Sequence, residues 1–382
     1  MPPRTGLREG VALLAGAVLA TTALIGLGAV LGHQRATAGF RRLLDAADSA
    51  DTLGKLFPSP EQRIAVSEVY LAPAEELARM DEIAWTVPSA PTPFVGYAPA
   101  PGRHHNAFVN DLQMRGAALP RVPKPPGAYR IFVTGASVAF GIGAPADDRT
   151  IGAYLESILN EPPAANGRHF EVFTFAATGW TTAHERIAIE NRLSELEPDL
   201  VISYSGVNDM YMNAIGRDTR WLRSYGDQMF WDLLAEVQRV ARREPLVDVA
   251  ANGPPASPIE VARRIEKNVR LAAAALAPVG SDYLFALQPN IAYATKRPTA
   301  RESGLLAAYR FRDYNRRCHD AIDARLGRMQ LDRFRYVDLS GVFADVPPTA
   351  GIFIDTGHLG DRGNRIVAER LAAEVRTLSE RR

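Results

Sequence analysis

Cysteine is almost absent from this chain of 382 residues, where Cys318 stands alone. A single thiol cannot form an intramolecular disulfide or build a cysteine-based metal centre. Net charge is also nearly absent, because 44 basic residues face 43 acidic ones. A nucleic-acid-binding protein needs a clustered basic surface, so this balance argues against nucleic acid as a partner. The adjacent His104 and His105 have no carboxylate at a ligand-like spacing. We therefore predict neither a metal nor a cofactor.

One long apolar run interrupts an otherwise mixed sequence. Val11 to Leu31 contains 21 residues without a charge, which as a helix would span roughly 30 Å, the thickness of a bilayer's hydrocarbon core. We predict that residues 1–38 form an N-terminal membrane anchor that contacts the lipid bilayer through residues 11–31. A cleaved signal peptide is the alternative, because small residues at 36–38 have cleavage-site spacing, although the apolar run is longer than usual.

The orientation of this anchor is weakly determined, since arginines flank both of its ends. Placing the large domain in the periplasm, or otherwise outside the cytoplasm, is an expectation that the positive-inside rule does not decide. Residues 39–106 follow, with helix-compatible patches and many prolines. This composition favours a stalk or linker with short helices, extended from Pro88 to Pro101, and with Phe94 and Tyr97 available to dock on the next domain.

Residues 107–382 are predicted to form one domain, in which short apolar β-rich runs alternate with helical patterns from Tyr129 onward. Such alternation predicts an α/β fold with about five parallel strands, covered by helices on both faces. An insertion at about 210–256 is rich in aromatic residues and is expected near the mouth of the site, although these residues could equally form a local core. The predicted strands are Ile131–Thr134, Glu171–Phe175, Leu200–Ser205, Tyr283–Leu287 and Tyr336–Leu339.

Polar residues follow the ends of these strands. Ser137 comes just after the first, and Asp355 with His358 follows the fifth. Because loops at the carboxyl ends of parallel strands share one edge of the sheet, these residues should meet there. Ser137 is then a candidate nucleophile, His358 a base that accepts its proton, and Asp355 a carboxylate that fixes the histidine tautomer.

A tetrahedral intermediate would also need hydrogen-bond donors aimed at its oxyanion. The amides of Ser137 and Gly179 and the side-chain amide of Asn208 are the candidates. Each residue also has a structural interpretation: a serine at a helix start can be a cap, and the glycine can serve a turn. The catalytic interpretation rests on finding all of them in order at successive strand ends.

These blocks resemble those of the SGNH (GDSL-like) hydrolases from about Asn110 onward: Ser137, Gly179, Asn208 within Gly206–Asp209, and His358 within Asp355–His358. The resemblance implies a flavodoxin-like three-layer α/β/α sandwich and a metal-free serine esterase, lipase or acyltransferase with a Ser-His-Asp triad. Ala136 departs from the family's Gly-Asp-Ser pattern, which puts the rigidity of that loop in doubt.

The leading hypothesis is a membrane-anchored esterase, or an O-acetyltransferase or deacetylase, acting on acylated glycans. A lysophospholipase or thioesterase is the alternative within the same class. A non-catalytic subunit that binds glycan, or joins a membrane complex, is the alternative from another class, motivated by Ala136 and the stalk. Intact Ser137, Asp355 and His358 argue against the loss of catalysis.

Overall fold

The computed structural model describes residues 18, 21–22, 24–35, 56–162, 168–217, 219 and 253–380. The chain divides into two compact units, Met1–Ala50 and Asp51–Arg382. Most of the aromatic insertion predicted at about 210–256 lies outside the described residues.

The described residues of the first unit are helical, including the continuous stretch 24–35. Within the described part of the chain, no helix combines the length and apolar character needed to cross a membrane. The predicted span of residues 11–31 is only partly covered, since residues 11–17, 19–20 and 23 lie outside the described set. The membrane anchor therefore stays a prediction.

The second unit is built on a sheet of five parallel strands, in the order β6 (His169–Ala176), β5 (Ala128–Gly135), β7 (Leu200–Ser205), β8 (Asp282–Leu287) and β9 (Phe334–Asp338). This confirms the predicted number and direction of the strands. Each begins within a few residues of its predicted start, because the apolar runs that identified the strands are the parts buried from both faces.

Helices cover both faces of this sheet. Short helices follow β5 and β7 directly, at the edge where the candidate residues lie. The helices of the unit are α1 (Pro60–Ser67), α2 (Pro73–Ala78), α3 (Ser137–Phe140), α4 (Ile151–Asn160), α5 (Thr182–Asn191), α6 (Val207–Ala214), α7 (Pro258–Leu276), α8 (Ala300–Ala308), α9 (Arg312–Leu326) and α10 (Asp361–Ser379).

Successive side chains of each strand point to opposite faces, which divides the core into two layers. Ile131 and Val133 of β5 pack in one apolar cluster with residues of α4 and α10. Phe132, between them, packs in a second cluster with residues of α5, α7 and α9. The arrangement is the three-layer α/β/α sandwich that the sequence predicts.

Residues 56–106 differ from the predicted stalk. Besides α1 and α2 they form β1 (Ser89–Thr92), β2 (Gly96–Pro99) and β3 (Gly102–His104), where an extended linker was expected; β4 (Ala107–Val109) pairs with β3. Tyr97 is buried and its hydroxyl donates to the Thr178 carbonyl at 3.0 Å, as the docking hypothesis predicts. Phe94 instead stays exposed at the tip of the β1–β2 hairpin. The hairpin packs on the sheet domain, because its apolar Val95, Tyr97 and Ala98 lie in the same cluster as Phe132.

Candidate active site

Ser137 is the first residue of α3, immediately beyond the carboxyl end of β5. The turn requires Gly135, whose φ is +151° and whose missing Cβ would lie 2.3 Å from the Tyr204 carbonyl oxygen of β7. This close approach of two backbones fixes where the serine emerges. Ala136 is the N-cap of α3 and supplies no side-chain hydrogen bond. An alanine at this position leaves the helix start uncapped by a side chain.

His358 meets Ser137 across 221 residues of sequence, with Nε2 lying 2.8 Å from the serine Oγ. Its Nδ1 lies 2.7 Å from Oδ2 of Asp355. The other carboxylate oxygen of Asp355 accepts the backbone amides of Gly357 and His358, each at 2.8 Å. The aspartate therefore orients both the imidazole and the loop that carries it, and the three predicted triad residues form one continuous hydrogen-bonded chain.

The charged forms of Asp355 and His358 stabilise each other. Desolvation by the surrounding protein would raise the pKa of Asp355, but His358 and the two loop amides hold that pKa far below its ordinary value. Burial opposes protonation of His358, yet the Asp355 carboxylate outweighs it and raises the pKa of the imidazole above its ordinary value. A carboxylate that stays ionised beside a more basic imidazole suits a base that accepts the serine proton.

The two remaining oxyanion candidates follow β6 and β7, the strands on either side of β5. Gly179 lies on the loop after β6, and Asn208 lies in the first turn of α6. Gly179 has a φ of +80°, a backbone conformation that favours glycine. Among the described residues, no hydrogen-bond acceptor pairs with its amide or with that of Ser137. The Asn208 side-chain NH₂ donates one bond to the Trp180 carbonyl at 2.9 Å. Its second N–H remains for another acceptor.

Several polar residues outside this group have structural roles. Asp209 accepts the amide and hydroxyl of Thr182, at 3.0 and 2.7 Å, and so braces the helix turn carrying Asn208. His184 is buried, and its Nδ1 accepts the Thr181 amide at 3.1 Å. His319 pairs with Asp338, away from the candidate triad. Cys318 is buried in α9.

A cavity of about 750 Å³ opens above Ser137 and His358. Asn208 and Gly179 line it, together with Tyr211, which belongs to the start of the predicted aromatic insertion. The other aromatic residues of that insertion, Trp221, Tyr225, Phe230 and Trp231, lie outside the described residues. The candidate nucleophile, base and oxyanion donors thus share a single space large enough for a small substrate.

No protein-family model matches the chain, and no curated protein matches its sequence. Among solved structures it is similar to the acetyl xylan esterase AlAXEase, with 14% identity, a TM-score of 0.38, and coverage of 64% of this chain and 99% of that one. It is also similar to a protein described as a GDSL-like lipase from Parabacteroides merdae, with 14% identity, a TM-score of 0.39, and coverage of 65% and 96%. A third is a two-domain esterase active on acetylated mannans, with 13% identity, a TM-score of 0.36, and coverage of 66% and 50%.

These similar structures are esterases and lipases. Similarity at this level does not determine the reaction of this chain, which depends on its own residues.

Other residues that line the cavity were not identified from the sequence. Phe57 and Trp85 come from the segment predicted to be a stalk, and Arg301 and Tyr309 come from the region of α8. Arg301 donates to the carbonyls of Phe353 and Ile354, which precede Asp355, and so supports the loop that carries the histidine. An arginine in a helical pattern gives no sequence signal for this role, because its acceptors are backbone atoms more than 50 residues away.

Proposed function

We propose that this protein is an SGNH-type serine esterase that cleaves or transfers acyl groups from ester substrates. The observation that carries the proposal is the chain of contacts from the Ser137 Oγ through the His358 imidazole to the Asp355 carboxylate, at 2.8 and 2.7 Å. A structural cap at a helix start has no need of an imidazole at hydrogen-bond distance whose other nitrogen is bound to a carboxylate.

In the proposed reaction, the Ser137 Oγ attacks the ester carbonyl carbon while His358 Nε2 takes the serine proton. The oxyanion that forms accepts the amides of Ser137 and Gly179 and the second N–H of Asn208. The intermediate then collapses: the bond to the alcohol oxygen breaks, the alcohol leaves with the proton from His358, and an acyl-serine remains. Water, or a hydroxyl of an acceptor, attacks the acyl-serine by the same steps in reverse order and restores Ser137.

An acylated glycan is the proposed substrate class. The cavity lining includes Tyr211, Tyr309, Arg301, Gln288 and Thr356. Tyrosine rings pack against the apolar faces of sugars, and polar groups of this kind pair with sugar hydroxyls. A preference for acylated oligosaccharides over acyl esters of simple alcohols, measured as kcat/KM, tests this assignment. Equal kcat/KM values for the two kinds of ester would contradict it.

Attachment to a membrane through residues 11–31 is part of the same proposal and rests on the uncharged run in the sequence. The full-length chain should stay in the membrane pellet after alkaline carbonate extraction, whereas a chain beginning at residue 39 should be released. Release of the full-length chain would contradict the proposed anchor.

Turnover of p-nitrophenyl acetate tests the esterase assignment. Ser137→Ala should abolish this turnover, because the variant has no hydroxyl nucleophile next to His358. The control is a second serine-to-alanine variant at an exposed position, Ser303 of α8. Ser205 is unsuitable for this purpose, because it contacts buried Glu185. Ser303→Ala should retain wild-type activity. Wild-type turnover by Ser137→Ala would contradict the assignment.

A further inference from the structure

The segment before the sheet domain is tied to both halves of the candidate triad. On the serine side, the Tyr70 hydroxyl donates to the Gly143 carbonyl at 3.0 Å, and the Gly143 amide donates to the Ala84 carbonyl at 3.2 Å. On the histidine side, the Leu71 amide donates to buried Asp361 at 2.8 Å. Residues 57–85 therefore have a fixed position relative to the site.

This attachment brings an apolar surface into the cavity. We define the apolar corner as Leu56, Phe57, Trp85, Ile142 and Ile354, which all line the cavity that holds Ser137. The Phe57 and Trp85 rings pack edge to face, with centroids 5.2 Å apart. Two members lie close to the triad in sequence, since Ile354 precedes Asp355 and Ile142 follows α3. The corner is thus built partly from the segment and partly from the triad loops.

Two polar groups at this corner are already bonded within the protein. The Trp85 indole N–H donates to the Met80 carbonyl at 3.2 Å, and the Phe57 carbonyl accepts the Arg63 side chain at 3.1 Å. At Gly143, an added Cβ would lie 2.6 Å from Ile354 and 3.5 Å from Trp85, so the surface is closely packed behind. Binding of a hydrocarbon group to such a surface is favourable, because apolar area is removed from water. The same surface has few groups that could form hydrogen bonds with a sugar hydroxyl.

The mixed lining of the cavity points to a division of the substrate. Tyr211, Tyr309, Arg301 and Gln288 line the same cavity as the apolar corner, so it offers both polar and hydrocarbon surfaces. Because an ester joins a hydrocarbon acyl group to a hydroxyl-bearing alcohol, these two surfaces match its two halves.

We propose that Phe57 and Trp85 are specificity-determining residues that bind the hydrocarbon of an acyl group longer than acetyl, which extends the proposed esterase function. Residues outside the sheet domain would then select the acyl group. The wall they form would favour esters of about four to six carbons over acetate, because each further methylene buries additional apolar surface.

The experiment compares p-nitrophenyl acetate, butanoate and hexanoate on the purified full-length chain, so that the leaving group stays constant. For the wild type, kcat/KM should rise about 10-fold or more from acetate to hexanoate. Phe57→Ala should lower hexanoate hydrolysis about 10-fold while acetate stays within about 3-fold. Phe94→Ala, at an exposed phenylalanine outside the cavity, is the matched control and should leave all three rates unchanged.

A second variant adds a large side chain instead of removing one, so it does not remove core packing. Ala65 of α1 lines the same cavity as Phe57, so Ala65→Phe should add bulk there and lower hexanoate hydrolysis while sparing acetate. Thermal unfolding of each variant establishes that it is folded.

The outcomes separate this inference from the esterase proposal. Ser137-dependent hydrolysis that is as fast for acetate as for hexanoate, or an equal loss for all three esters in Phe57→Ala and Ala65→Phe, would overturn the acyl assignment alone. Hydrolysis that persists in Ser137→Ala would overturn both.

Discussion

The side-chain NH₂ of Asn208 donates to the backbone carbonyl of Trp180 at 2.9 Å. This bond joins the first turn of α6 to the loop after β6, and Trp180 is the residue next to Gly179. Gly179 and Asn208, two of the three candidate oxyanion donors, are therefore fixed relative to each other before a substrate binds. Donors that are already in place need no reorganisation when charge develops on the substrate oxygen.

Asn208→Ala should consequently lower kcat for an aryl ester by about 10²–10³-fold with a small change in KM, because the lost bond forms with the oxyanion. Asn191→Ala, at an exposed asparagine of α5 that bonds only to its own helix, is the matched control. A loss of less than about 3-fold in Asn208→Ala would remove Asn208 from the oxyanion site.

The pH dependence of kcat/KM should report His358. The imidazole must be neutral to accept the serine proton, so activity should fall as the pH decreases through its pKa. Because Asp355 raises that pKa above the ordinary value of 6.5, the midpoint of this acid limb should lie above pH 6.5. Asp355→Asn should move the midpoint down and reduce kcat by up to about 10⁴-fold.

His319 supplies the control for this assignment. The pKa of His319 is also raised, with burial opposing and the Asp338 carboxylate dominating. His319→Gln should leave the acid limb in place, since this imidazole lies outside the candidate triad. A midpoint that moves with His319→Gln, or that lies below pH 6.5 in the wild type, would contradict the role of His358.

Glu185 should make the fold less stable as the pH rises. Burial, reinforced by nearby Asp209, raises the pKa of this fully buried carboxyl from 4.5 to about 7. The folded state therefore keeps a proton that the unfolded chain releases, so the stabilisation is complete below pH 4.5 and is lost as the pH rises through about 7. Relative to Glu185→Gln, the wild type should lose about 2 kcal/mol of unfolding free energy between about pH 5 and 8.

Urea unfolding at both pH values measures this difference. Glu190→Gln, at an exposed position on the same helix, should behave like the wild type at both. A wild type whose stability relative to Glu185→Gln does not change with pH would contradict the protonation of Glu185 in the folded state.

Arg149 holds two buried carboxylates together. Its guanidinium lies 3.3 Å from Glu76 of α2 and 3.1 Å from Asp361 of α10, and both acids are completely buried. Arg149→Ala leaves these charges without that partner, so the unfolding free energy should fall by roughly 2–4 kcal/mol, allowing for the partial exposure of the arginine. Arg365→Ala breaks the exposed pair with Glu369 and should cost less than about 1 kcal/mol. Equal effects in denaturant unfolding would contradict the structural importance of the Arg149 cluster.

The sequence predicts the sheet well because the signals for it are local. Buried parallel strands are continuous apolar runs, and in β5 and β7 those runs end within a residue or two of Ser137 and Gly206. Since every strand of a parallel sheet delivers its following loop to the same edge, the meeting of Ser137 with His358 follows from strand order and direction rather than from any local signal.

The position of residues 56–106 was not predictable in the same way. The sequences of short helices such as α1 and α2 show which residues are apolar, but they do not show which surface of the protein will cover those residues. Their partners lie far along the chain: Tyr70 bonds to Gly143, and Leu71 bonds to Asp361. Prolines between Pro88 and Pro101 suit an extended linker and a hairpin edge equally, so their number does not distinguish the two. The apolar corner was missed for this reason.

Labelling with a fluorophosphonate probe tests the central claim most directly, because such a probe reacts with a serine only when a neighbouring base activates it. The full-length protein should be labelled at one peptide, the one containing Ser137, and Ser137→Ala and His358→Ala should both abolish labelling. Labelling that persists in Ser137→Ala, or the absence of labelling in a folded wild-type protein, would contradict the assignment of Ser137 as the nucleophile.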